Sequence, residues 1–163
     1  MIDRHRDLER IRTAYHEAGH AVVSNHHGWQ VGRVSIVPNA STGDWGHMQP
    51  KRGHVPIMAP ENAAIDIQIC VAGPLAEAIH RHGHSRVETQ RTDWATCKAR
   101  DIARAYLRAK TVVHNYNERA AYLDGQAAAT QELLSRLWPN VELLAEQLLQ
   151  VEILEGIALL RAL

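Results

Sequence analysis

The chain has 163 residues, 45% of them hydrophobic and 22% charged, which is enough apolar material for one packed domain and excludes a disordered composition. Lysine plus arginine number 18, and so do aspartate plus glutamate. With no surplus of positive charge to neutralise phosphates, nucleic acid is not an expected partner.

The apolar spacing of Leu8, Ile11, Ala14, Tyr15, Ala18, Val22 and Val23 predicts a helix over 7–27, stopped by Gly28. VGRVSIV (31–37) is β-branched and predicts a strand that ends at Pro38. Turn residues fill 39–44, and an extended return is expected at 46–49. Pro60 suits the first turn of a helix running to about Arg81, kinked at Gly73–Pro74. A polar link, 82–91, leads to a helix over 92–110. The remainder from Glu118 is expected to be helical, with turns at Asp124–Gly125 and Trp138–Pro139. The expected fold class is therefore mainly α (α+β), with a small N-terminal β element, in one domain over 1–163.

Cys70 and Cys97 lack CxxC spacing, so neither a disulfide scaffold nor a thiolate zinc knuckle is expected. The charged start MIDRHRDLERIR is unlike a secretory signal, and no apolar run is expected to reach the roughly 18 residues that span a bilayer. The expectation is a cytoplasmic chain without a membrane partner. Histidine, however, occurs 11 times, against no phenylalanine.

Two of those histidines carry the chemistry. AYHEAGHAVV (14–23) contains HExxH on a helix, so His16 and His20 project from one face and can share a metal ion. Glu17, about 100° round the axis, can reach a water on that ion without ligating it. These are the parts of a hydrolase that adds water to a carbonyl. Blander readings stand beside this one: His26 and His27 suit the negative end of the helix dipole. His80, His82 and His84, in HRHGHS, offer a rival metal site, though without a built-in acidic base they read more readily as an exposed loop that takes up metal adventitiously. Asp93, by position alone, reads as a helix cap. Glu77 reads as part of a solvated stripe with Asp66, or as the acceptor for a ligand histidine's other N–H.

YHEAGHAVV resembles the active-site helix of the protease domain of FtsH-type, ATP-dependent zinc metalloproteases. The resemblance continues in order through RVSIVP (33–38), WGHMQP (45–50), CVAGPLAEAI (70–79), TDWATCKARDIARAYL (92–107), LWPNVELLAEQLLQ (137–150) and LEGIALL (154–160). It implies a helical zinc-peptidase domain whose third zinc ligand falls on Asp93, with Glu77 and Glu88 as competitors. Where the family carries Gly-Ala before that aspartate, this sequence carries Thr89–Gln90. The ATPase module and membrane anchor of the family are not expected in these residues, so the expectation is a protease domain standing alone.

The expected activity is that of a zinc-dependent endopeptidase. His16, His20 and Asp93 would hold Zn2+, and Glu17 would act as general base. If one edge of the strand is free beside the metal, Val34, Ser35, Ile36 and Val37 would receive an extended or unfolded peptide as an added strand. The resemblance suggests a ring-forming homo-oligomer, much of the reason for which goes with the motor, and leaves room for a separate unfoldase or delivery partner. The alternative, from another class, is a metal-stabilised adaptor or binding domain of the same fold with little turnover.

Overall fold

Helix α1 (Arg4–His26) starts three residues before the expected helix, and its Gly28 stop holds, at φ 75°. The computed structural model describes residues 4–38, 41, 46–51, 60–84 and 99–163. The buried side of α1 is built from small residues, Ala14, Ala18 and Ala21, with Val22 and Val23. A Cβ on Gly19 would meet Ala72 O and the Ala76 Cβ at 2.6 Å each, so α1 crosses the next long helix with the two backbones nearly touching.

Strand β1 (Val31–Ser35) and strand β2 (His47–Pro50) pair antiparallel, with Ser35 opposite His47. A 3-10 turn, Pro60–Asn62, opens helix α2 (Ala63–His82), which ends at Gly83, at φ 80°, whose N–H bonds Ile79 O at 2.7 Å. Pro74 lies within α2 and removes one helical N–H. The stretch Pro60–His82 is long and apolar enough to cross a membrane, contrary to the sequence expectation. Its apolar window is 72% buried against the rest of the protein, which makes α2 the core helix here.

Helix α3 (Ala99–Ala109) is the described part of the helix expected over 92–110. Helix α4 (Tyr116–Val151) begins where the Asn115 side chain accepts from Asn117 N–H at 2.9 Å. It passes unbroken through both expected turns, Asp124–Gly125 and Trp138–Pro139. An internal glycine costs about 1 kcal/mol and an internal proline about 3 kcal/mol. The stripe Ala127, Thr130, Leu134, Val141, Ala145 and Leu148, buried against the other helices, outweighs both.

The chain then reverses at Glu152, left-handed at φ 63°, into strand β3 (Ile153–Glu155) and helix α5 (Gly156–Ala162). Residues 154 and 155 thus belong to a strand, not to the closing helix expected from 154. β3 pairs antiparallel with β1, Val34 opposite Leu154, giving the order β2-β1-β3. This corrects the expected substrate edge. Val34 and Ser35 are paired on both sides, and Ile36 N–H is taken by Glu152 O at 2.9 Å. Val37, past the strand, turns its N–H onto Ser35 Oγ at 3.1 Å. Among the described residues, the outer edge of β2 has no partner strand.

Candidate metal centre

His16 and His20 lie one turn apart on α1, and both are buried beneath α2. Their Nε2 atoms stand 3.1 Å apart. Asp101, in the first turn of α3, brings Oδ2 to 3.0 Å from His16 Nε2 and 3.5 Å from His20 Nε2. Among the described residues these three form the one cluster of ligand-type side chains close enough to share an ion.

The triangle fits a metal. Two ligand atoms on one tetrahedral ion, at bonds of about 2.0–2.1 Å, lie about 3.3–3.4 Å apart. The three observed separations, 3.0, 3.1 and 3.5 Å, bracket that value. The donor set, two imidazoles and a carboxylate, suits zinc.

Surrounding groups set the tautomers and charges. His20 Nδ1–H donates to the Ile69 carbonyl at 2.7 Å, which leaves the Nε2 lone pair facing the cluster. Burial alone would lower the His20 imidazole, but Asp101, the Glu17 charge and the Ile69 carbonyl carry it above its ordinary value. Burial alone would likewise raise the Asp101 carboxyl; the His16 and His20 imidazoles instead hold it well below the usual carboxylate range. An anion beside two imidazoles is the form a cation needs.

Glu77 is 5% exposed and Asp66 8%, so the solvated stripe does not form. Asp66 pairs with buried Arg108 on α3. Glu77 reaches toward the cluster, with Oε2 3.6 Å from His16 Nδ1 and Oε1 held by Arg81 at 2.5 Å. Among the described residues His16 Nδ1 makes no hydrogen bond, and the Glu77 carboxylate stands just beyond hydrogen-bond reach of it. Glu17 is buried as well, and its charge acts on the His20 imidazole. A Cβ on Gly46 would meet its Cγ at 2.9 Å, so the residue that opens onto β2 lies directly on Glu17.

The histidine-rich segment is not an extended loop. His80 and His82 sit in the last turn of α2, and the His80 ring stacks on Tyr15 at 3.7 Å between centroids. His84 packs edge-on to Trp138 at 5.0 Å and meets Ser135 Oγ at 2.9 Å through Nδ1. His27 Nε2 meets Gln68 Oε1 at 2.8 Å. Asp93, Glu88, Thr89 and Gln90 lie outside the described residues.

Asp101 is the residue that sequence reasoning missed. It stands eight positions after Asp93 in the segment TDWATCKARDIARAYL, with the same side chain and also near a helix start. The available signal was that this segment offers two aspartates, either of which a helix can carry to the histidines.

The sequence model of peptidase family M41 matches residues 4–116. An ATP-dependent zinc metalloprotease FtsH of Lactiplantibacillus plantarum is 28% identical over 135 residues, covering 79% of this chain and 18% of that protein. A protein of the same name from Veillonella parvula is 33% identical over 75 residues, covering 45% of this chain and 12% of its own length. The chain spans less than a fifth of the length of these relatives.

Proposed function

The chain belongs to peptidase family M41, and from that premise we propose that it is a zinc-dependent endopeptidase acting on extended or unfolded polypeptides. The observation that carries this reading is the triangle of His16, His20 and Asp101, with Glu17 on the same helix. Those three side chains would hold the ion and leave one of four positions open. Bound there, zinc would supply positive charge for the carbonyl oxygen and would lower the pKa of a water toward about 7.

The remaining work falls to the protein. Glu17 takes the proton of the attacking water on a carboxylate oxygen and hands it to the leaving amine. The Ile69 carbonyl keeps His20 in one tautomer, and Glu77 fixes the outer side of His16 by its charge. The substrate lies along the outer edge of β2 as an added antiparallel or parallel strand, which brings its backbone past Gly46 and Glu17. Such docking reads backbone more than side chains and requires several extended residues. A folded domain is held by about 5–15 kcal/mol, so cutting one would need a separate unfoldase.

The test is to incubate the zinc-loaded protein, with and without ATP, with fluorescent casein, a stable folded domain and a destabilised mutant of that domain. We expect ATP-independent cleavage of casein and of the mutant, with the stable domain spared. Cleavage of none of them would favour a metal-stabilised binding domain.

A further inference from the structure

Position 73, on the middle of α2, faces the metal cluster with no side chain at all. A Cβ built on Gly73 would lie 2.4 Å from His20 Nε2, 2.7 Å from His20 Cδ2 and 2.8 Å from His16 Nε2. Contacts that short do not occur between non-bonded atoms, and zinc–nitrogen bonds are about 2.0–2.1 Å. A methyl group at 73 would therefore stand in the space that an ion shared by the two nitrogens has to occupy. The rings have little room to retreat: both histidines are buried, and His20 is tied to the Ile69 carbonyl one turn back on the same helix.

We propose that Gly73 is a positioning residue of the metal centre, its bare Cα forming the wall that leaves room for the ion, and that this is why α2 tolerates a glycine next to Pro74 in its interior. Inside a helix, glycine costs about 1 kcal/mol relative to alanine, so helix propensity alone would favour a side chain here. Gly19 differs. The atoms that a Cβ there would strike are the Ala72 carbonyl oxygen and the Ala76 Cβ, which belong to the crossing of α1 and α2. Gly19 spaces the helices; Gly73 clears the site.

The inference rests on the metal-centre reading above, and two variants separate them. For the parent, Gly73→Ala and Gly19→Ala, zinc affinity, the visible spectrum of the cobalt(II)-loaded protein and the melting temperature of the metal-free protein are measured. We expect the parent to bind zinc and to give an intense tetrahedral cobalt spectrum. Gly73→Ala should bind zinc at least about 100-fold more weakly, beyond the roughly 10–100-fold effect of an outer-sphere change, and lose that spectrum. Gly19→Ala should lower the metal-free melting temperature. Failure of the parent to bind zinc would sink the metal-centre reading itself. Parental zinc affinity and cobalt spectrum in Gly73→Ala would overturn the role of Gly73 alone. Should Gly73→Ala fail to fold, His20→Ala is added to it. A double variant that melts like His20→Ala shows that the imidazole was the obstacle, and one that stays unfolded overturns the inference.

Discussion

Asp101 Oδ2 stands 3.0 Å from His16 Nε2, across 85 residues of chain. The contact joins the first turn of α3 to the middle of α1, and α2 packs against both. It places a carboxylate where two imidazoles one helical turn apart lack a third partner.

Asp101→Ala should release zinc, with affinity falling by more than the roughly 10–100-fold of an outer-sphere change. Asp93→Ala should leave affinity within a few fold, as should joint replacement of His80, His82 and His84 by alanine. Zinc content after dialysis measures all three. Loss in Asp93→Ala with retention in Asp101→Ala would move the third ligand to the earlier aspartate.

Glu17→Gln should keep zinc and the fold, because the amide preserves shape and Glu17 is not in the ligand triangle. Casein cleavage should fall by at least about 10²–10⁴-fold, the contribution of a general base. A variant as active as the parent would exclude Glu17 from the proton transfer.

Cys70 should be a poor nucleophile. Burial pushes its thiol up from 9.0 to about 11, which keeps it protonated. At pH 8 the thiolate fraction is then about 100-fold below that of an ordinary cysteine, and it rises only as pH climbs toward the shifted value. Iodoacetamide labelling followed by peptide mapping should show native Cys70 modified at least about 100-fold more slowly than in the unfolded chain. Equal rates would mean the thiol is exposed.

Gly125→Ala should stabilise the protein by about 0.5–1 kcal/mol. The glycine lies inside α4, and a Cβ there would meet nothing within 4 Å. Thermal melting should rise by about 1–4 °C for a chain of this size. A fall would place a turn at Asp124–Gly125 after all.

The same position shows where the sequence was legible. HExxH needs one helix, and four-residue spacing alone brings Nε2 of His16 and His20 to 3.1 Å. Gly28 ends α1 at positive φ, which local chemistry also announces. Gly125 and Pro139 announce breaks as well, yet α4 continues, because burial of Leu134, Val141 and Leu148 acts over distances that no local signal carries. Asp101 and β3 were illegible for a related reason. A three-residue strand has too few positions to alternate, and an aspartate 85 residues from its partner has no spacing to betray it. Both are set by contacts between residues far apart in the sequence.

Strand β3 also dictates an order of events during synthesis. β1 and β2 are separated by a short stretch of chain and can pair early, but Val34 meets Leu154 only after 120 more residues have been made. At about 5–20 residues per second, translation leaves the second edge of β1 open for about 6–24 s. Over that interval the nascent chain presents an unpaired β-branched strand to its neighbours, a template for pairing with another copy. Residues 153–155 therefore act as a clasp that closes the second edge of β1.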